Sequence, residues 1–456
     1  MKVIKVGGGC LNGVEVINNI VSLIERKGHG NLFVVSALYG LTDMLIRGMD
    51  NALSDENSIS PLIKKIKRYH IKTAKKIILN KKHLKRFYKY LNREMIILER
   101  YYYGVNFTRE VTPRMYDMIC CFGERISASL LSESLRSREK SSEVIMPENS
   151  GFLTDGKFGD ATADIKSIME FFPGIVNPLV ENGGILFMPG FFGISRAGDI
   201  TTFGRGGTDY SAAVAAVAVC ADSLEFWKDV DGFMSADPRI VKDARRIPFL
   251  SYDEAAELSY FGAKILHPRA VEPARQYNLT IDIKNTLNPD APGTSIGEQV
   301  YTTDTLIKSV TQDTSLGILK VHASGVGARP GVLADVANKI TSKGINIKSV
   351  VTSQTCISIL LDQKDLTLGE TALQELSRSI FFREIETISD CALLSIVGDG
   401  MHEQKGIAGK CFTSIADAGV NVEMISFGPS LSALYFLVKK SDLENAVFAI
   451  HDEFFK

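Results

Sequence analysis

Phe203-Gly204-Arg205-Gly206-Gly207-Thr208-Asp209-Tyr210-Ser211 runs straight into the alanine-rich stretch Ala212–Cys220, and after a short break into Ser223-Leu224-Glu225-Phe226-Trp227. The order is glycine loop, helix, buried strand. A glycine loop opening a helix makes an anion site, because the first backbone N–H groups have no partner inside the helix. Arg205 in that loop can grip a carboxylate or phosphate with two parallel hydrogen bonds. Asp209 by itself reads as a helix cap. Packed with Arg205, three glycines and the Thr208 hydroxyl, it reads as part of a functional loop.

Working outward, the same alternation recurs. Val3–Val6 is a short β-branched strand ending in Gly7-Gly8-Gly9, and Leu32–Ala37 and Gly184–Met188 are further buried-strand patterns. Such alternation predicts an α/β domain with a largely parallel sheet. Lys5 beside Gly7 and Gly8 puts a full charge next to backbone that can approach a phosphate closely. This is neither a dinucleotide fingerprint nor a Walker loop: the third glycine of the first is missing, and Gly151–Lys157 is followed by Phe158, which cannot hold Mg²⁺. Residues 61–100 carry Lys, Ile and Leu at helical spacing and read as a helical insertion with a solvated basic face. Phe122-Gly123-Glu124 opens a helix, where Glu124 complements the dipole. Trp227–Arg239 is a strand end meeting a turn with acids and cations, and Asp231-Gly232 is a turn signal. In Phe261–Pro268, His267 reads as a structural hydrogen-bonder. Asn288–Gly293 is a turn-rich close.

The C-terminal third repeats itself. Gly331-Val332 through Gly344-Ile345-Asn346-Ile347 matches Gly406-Ile407 through Gly419-Val420-Asn421-Val422 at a constant offset of 75 residues. Each copy reads strand, helix, strand, strand, helix, which fits a split βαβ sandwich. The 456 residues thus divide into a domain at 1–303 and two small ones at 304–390 and 391–456. The net charge of −1 gives no bulk attraction to nucleic acid or to an anionic membrane. Seven cysteines with no C-x-x-C pair fit a reducing compartment. The N-terminus runs from Met1–Val6 straight into glycines and lacks the apolar stretch of a secretory signal, and the longest apolar run, Ala212–Ala221, is about half of what a bilayer span needs. The expectation is a cytoplasmic protein.

Taken together these motifs resemble the aspartate kinases of the amino-acid kinase family, followed by two ACT domains. The resemblance runs through Lys5–Gly8, Val35-Ser36-Ala37 with Thr42, Thr112–Glu124, Pro189–Phe191, Gly204–Asp209, Lys228–Arg239, Phe261–Pro268 and Ala291–Thr294, in the family's order. It implies an ATP-dependent transfer of phosphate to the side-chain carboxylate of L-aspartate, the first step towards lysine, threonine and methionine. Lys5, Arg205 and Asp209 would be catalytic. Ser36, Thr42, Glu124, Arg205 and Thr208 would bind the amino acid. Lys5, Gly7, Gly8, Lys228, Asp229, Met234, Asp237, Arg239, Lys264 and Ile265 would hold ATP. Mg²⁺ is the implied companion of ATP, with no residue assigned as a metal ligand. The ACT pair implies a homo-oligomer and an amino-acid effector near Asn346, Ser353 and Gln354. Lys348 and Gln354 stand where lysine-inhibited relatives tend to have acids, which favours a neutral effector such as threonine, or none. Gly9 and Cys10 depart from the small hydroxyl residues usual after the glycines. Alternatives are a kinase for another carboxylate or carbamate, and a degraded kinase acting as an ACT regulatory subunit. A fused homoserine dehydrogenase is not expected, since the sequence stops at Lys456.

Overall fold

The computed structural model describes every residue except 264, 299–305, 324–325, 327 and 377–381, and the side chain of Phe382. The chain forms two compact units. One comprises Met1–Phe233, Pro248–Ala255 and Ile265–Val300; the other comprises Met234–Ile247, Ala256–Lys264 and Tyr301–Lys456.

The first unit contains strands β1 (Val3–Val6), β2 (Asn31–Val35), β3 (Ser142–Val144), β4 (Leu153–Thr154), β5 (Ile185–Pro189), β6 (Phe192–Ser195), β7 (Ile200–Thr202), β8 (Leu224–Lys228), β9 (Phe249–Ser251), β10 (Ile281–Asn285) and β11 (Thr294–Gly297). Eight of them form one sheet in the order β3-β5-β2-β1-β8-β10-β11-β9, and β4-β6-β7 form a small second one. Only β10 and β11 pair antiparallel in the large sheet. The expected strands are therefore present, and parallel pairing explains their composition. β1 and β5 are buried at every position; β5 reads as a continuous apolar run rather than an alternating one, and β1 is interrupted only by Lys5. The helix Gly207–Ala218 is buried throughout, and its small side chains let it pack against the sheet without an outward polar face. The predicted insertion is two helices, Ile59–Ile77 and Lys81–Thr108. Lys64, Lys65, Lys72, Lys75 and Lys76 are exposed, while Ile63, Ile66, Phe87, Leu91 and Tyr102 join the main core.

The second unit holds β12 (Ser309–Asp313), β13 (Leu316–Ala323), β14 (Ser349–Thr352), β15 (Cys356–Asp362), β16 (Phe382–Ile388), β17 (Ala392–Val397), β18 (Met424–Phe427) and β19 (Ala433–Val438). They make two four-stranded sheets, β14-β15-β13-β16 and β12-β17-β19-β18. The first sandwich is contiguous in sequence. The second takes its outer strand from β12, which precedes the first sandwich, so one sandwich is nested inside the other. Residues 234–247 also belong here. Met234 bridges to Arg246, and Ala236 and Val241 are buried in one core with Val310, Ile396, Phe436 and Ile450.

Candidate active site

In the first unit parallel pairing brings the carboxyl ends of β1, β2, β5 and β8 to one edge of the sheet, where ligands bind in such folds. Lys5, on β1 between Val34 and Phe226, sends its Nζ to Asp209 Oδ1 at 2.6 Å. Both residues are buried. Asp209 sits in the first turn of the helix Gly207–Ala218, and its Oδ2 also accepts the His267 backbone N–H at 3.2 Å. The turn depends on Gly206, with φ of +72° and a Cβ position only 2.1 Å from His267 Cγ. His267 thus has the structural role expected of it, packing under this turn and accepting the Arg269 N–H on Nδ1.

Burial pushes the Asp209 carboxyl up, but Lys5 and Lys228 outweigh it and hold the group below the ordinary carboxylate range. Burial and the neighbouring Lys5 push the Lys228 ammonium down to about 8. Two lysines share one carboxylate, so the cluster has a positive surplus where the three-glycine turn begins. That turn is a short 3₁₀ segment, Gly8–Leu11. Cys10 is buried in it, 3.3 Å from the Trp227 carbonyl, and a Cβ at Gly9 would meet nothing within 4 Å. The departures at these two positions leave the turn intact.

Lys5, Gly8, Ser36, Thr42, Glu124, Arg205, Thr208 and Asp209 all line one cavity of about 770 Å³. Glu124 is buried in the first turn of the helix Phe122–Arg136. Its Oε1 accepts the Ala37 N–H at 3.1 Å, a contact made possible by Gly123, whose Cβ would stand 2.5 Å from that of Ala37. Its Oε2 has no hydrogen-bond partner among the described residues. Burial pushes this carboxyl up to about 8, against the weaker pull of backbone N–H groups. Arg205 is exposed at the cavity wall.

The remaining expected residues are not among those lining this cavity. Asp229 is exposed just beyond β8, and Ile265 is half-buried in the first unit. Met234, Asp237 and Arg239 belong to the second unit, where Arg239 pairs with Asp237 at 2.6 Å. Lys264 lies outside the described residues. Asn346 precedes β14, whereas Ser353 and Gln354 follow it, so this strand separates them within a single chain.

Two braces of the glycine loop escaped sequence reading. Asp117 accepts Gly159 N–H, Thr202 N–H and Thr202 Oγ1 at 2.9, 2.9 and 2.6 Å. Arg269 donates to the Phe203 and Ala161 carbonyls at 2.5 Å each and lies over the Tyr210 ring. Its only sequence signal was its place just after Phe261–Pro268. Arg269→Ala leaves both carbonyls without this donor, and urea unfolding is expected to register a loss of about 2 kcal/mol.

Comparison with known proteins identifies the family. Residues 1–285 match the amino acid kinase family and residues 394–454 match an ACT domain. The chain is 30% identical to aspartokinase 1, chloroplastic, of Arabidopsis thaliana, covering 100% of this chain and 80% of that one. It is 29% identical to the bifunctional aspartokinase/homoserine dehydrogenase of Haemophilus influenzae, spanning 56% of that protein's length. E. coli aspartokinase III superposes in complex with aspartate and ADP (TM-score 0.82, 25% identity) and in complex with lysine and aspartate (0.86, 26%), each over 100% of both chains. The chain belongs to the amino acid kinase family and, within it, to the aspartokinases, ATP-dependent kinases that phosphorylate the side-chain carboxylate of aspartate.

Proposed function

We propose that the Lys5–Asp209–Lys228 cluster receives the phosphoryl group of ATP and that the Glu124 end of the same cavity receives L-aspartate. The observation that carries this reading is one cavity lined by both Lys5 and a buried carboxyl with an unfilled acceptor. Glu124 takes the substrate ammonium, and Arg205 takes the α-carboxylate. Ser36, Thr42 and Thr208 supply hydroxyls to the bound amino acid.

A side-chain carboxylate has a pKa near ~4 and is already ionised at neutral pH, so no general base is needed. An oxygen of that carboxylate attacks the γ-phosphorus, and the bond from phosphorus to the ADP oxygen breaks. The barrier is electrostatic, an anion approaching an anion, and preorganised cations lower it. Lys5 is held at the phosphoryl group by Asp209, Lys228 adds the second charge, and the turn at Gly7 and Gly8 contributes backbone N–H groups.

Among the described residues no cluster of three or more His, Cys, Asp or Glu side chains is arranged for a metal, and Asp209 is taken up by Lys5. These donors fit Mg²⁺ that arrives on the nucleotide phosphates rather than a resident ion. When bound, it would neutralise charge on the phosphoryl oxygens.

ATP with L-aspartate is expected to give ADP and an acyl phosphate that hydroxylamine traps as a hydroxamate. Equal turnover with glutamate or N-acetylglutamate would overturn the substrate assignment.

The ACT pair is proposed to sense an amino acid and to join two chains. β14 and β18 are sheet edges, and edges tend to pair. Lys348 lies 3.8 Å from Asp362 and over the Tyr260 ring, a cationic neighbour unsuited to a lysine effector's own ammonium. Calorimetry should therefore detect threonine rather than lysine, and light scattering should give a dimer or larger at micromolar concentration.

A further inference from the structure

Arg205 and Glu124 line one cavity but stand on different elements, the glycine loop and the helix Phe122–Arg136. A zwitterion held at its carboxylate by one and at its ammonium by the other needs the two at a fixed spacing. The glycine loop is one half of an arm. Gly204 has φ of +70°, and a Cβ on it would stand 2.8 Å from the Gly159 carbonyl oxygen. The Ala161 N–H donates to the Thr202 carbonyl at 2.9 Å. Residues 159–161 and 202–204 thus lie against each other, and Gly159, Thr202 and Gly204 line the cavity with Arg205.

Asp117 joins this arm to the helices on which Glu124 depends. It lies on the short helix Pro113–Cys120, and a single residue, Cys121, separates that helix from the one that carries Glu124. It is fully buried. Its Oδ2 accepts the N–H groups of Gly159 and Thr202, each at 2.9 Å, and its Oδ1 accepts the Thr202 hydroxyl at 2.6 Å. One carboxylate therefore reaches both segments of the arm. Asp117 is not itself among the residues lining the cavity, whereas its neighbour Tyr116 is.

We propose that Asp117 is a positioning residue for the amino-acid substrate, fixing the distance between Arg205 and Glu124 by tying the arm of the glycine loop to the helix that leads into Glu124. The inference rests on the reading of Arg205 and Glu124 as the carboxylate and ammonium partners of aspartate. Without the carboxylate, two buried N–H groups lose their acceptor and the arm is free to shift. A displacement of about 1 Å at a substrate clamp is enough to cost up to about a hundredfold.

The test varies aspartate at saturating ATP and measures ADP binding by calorimetry. Asp117→Leu, of similar size but without an acceptor, is expected to raise KM for aspartate about ten- to a hundredfold. A misplaced clamp weakens ground state and transition state alike, so kcat should stay within about threefold and Kd for ADP within about twofold. Asp117→Asn should recover most of the loss, since its oxygen can accept both N–H groups while its amide donates to the Thr202 oxygen. Added to Arg205→Ala, Asp117→Leu should lower kcat/KM for aspartate little further, because the clamp it positions is already gone. Should Asp117→Leu fail to fold, Thr202→Val decides. It removes the hydroxyl bond, leaves both N–H bonds, and should raise KM for aspartate about threefold with kcat and ADP affinity unchanged. An unchanged KM for aspartate overturns the proposal. So does a parallel rise in Kd for ADP, an Asn variant as poor as the Leu one, or full additivity with Arg205→Ala. Arg205→Ala and Glu124→Gln by themselves test the reading beneath it. If neither weakens aspartate, the reading of the site fails, while silent Asp117 variants beside impaired Arg205 and Glu124 ones strike this inference alone.

Discussion

Lys5→Ala is expected to lower kcat by roughly a hundredfold or more, because it removes a preorganised charge from the phosphoryl group in a site sheltered from water. Its effect goes beyond one lost cation. Lys5 and Asp209 are both buried and 2.6 Å apart, so the variant also deprives the Asp209 carboxylate of its closest partner. Lys228 remains, and its ammonium, now held below the ordinary lysine range by burial and by Lys5, should rise once Lys5 is gone. The variant should therefore keep some ability to bind nucleotide while losing turnover. Measured kcat falling with only a small change in the ADP dissociation constant is the expected pattern. The Asp209 carboxyl has a depressed pKa in the folded protein, so its stabilising contribution is present above the unfolded-state value and is lost as pH falls through the folded one. Lys5→Ala should weaken that contribution, and its acid unfolding midpoint should move to higher pH. A variant with wild-type kcat would place the phosphoryl site elsewhere.

Glu124→Gln is expected to weaken aspartate binding by about a hundredfold, within the range for leaving a buried charge without its partner. The sharper expectation concerns pH. In the free site the Glu124 carboxyl is pushed up to about 8 by burial, so at pH 7 it mostly holds a proton. An ammonium needs the carboxylate, so binding releases that proton. Aspartate affinity should then fall as pH drops from 8 to 6, by up to about tenfold per unit, while the substrate's own charges stay constant. Lys228 titrates in the same range, so the binding measurement is made without nucleotide. Glu124→Gln should flatten the profile.

Stability should move the other way. A carboxyl raised in the folded state adds stability at low pH and loses it as pH rises from the unfolded value to about 8. The ligand-free Glu124→Gln protein should therefore be more stable than wild type at pH 8. A pH-independent wild-type affinity would remove Glu124 from the ammonium site.

The parallel sheet and the helix behind it were legible in the sequence because burial on both faces leaves a distinctive mark. β5 reads as an unbroken apolar run, β1 as one interrupted only by Lys5, and the helix Gly207–Ala218 carries no polar side chain beyond Ser211. Lys5, Glu124 and Asp209 were also legible, since each is a charge set where a strand or helix end meets glycine. What the sequence did not disclose was partnership over distance. Nothing near Asp117 announces that it receives two backbone N–H groups from other segments, and Arg269 looks like any arginine after a proline. The repeat offset revealed two sandwiches, but not that β12 reaches past one to complete the other. A strand's neighbour is set by sheet register, which a pattern of apolar residues constrains only weakly.

The interleaving of the two units has a consequence for inheritance. The chain passes from one unit to the other at 233/234, 247/248, 255/256, 264/265 and 300/301. A gene cut after Val300 would encode a kinase whose Ala236 and Val241 have lost the apolar neighbours contributed by residues after that cut. Recombination at a single joint after Val300 therefore leaves the 234–247 segment facing a core it did not evolve with. An exchange of the regulatory module is expected to carry the 234–247 segment with it, so a part of the chain set within the kinase sequence is inherited with the sensor.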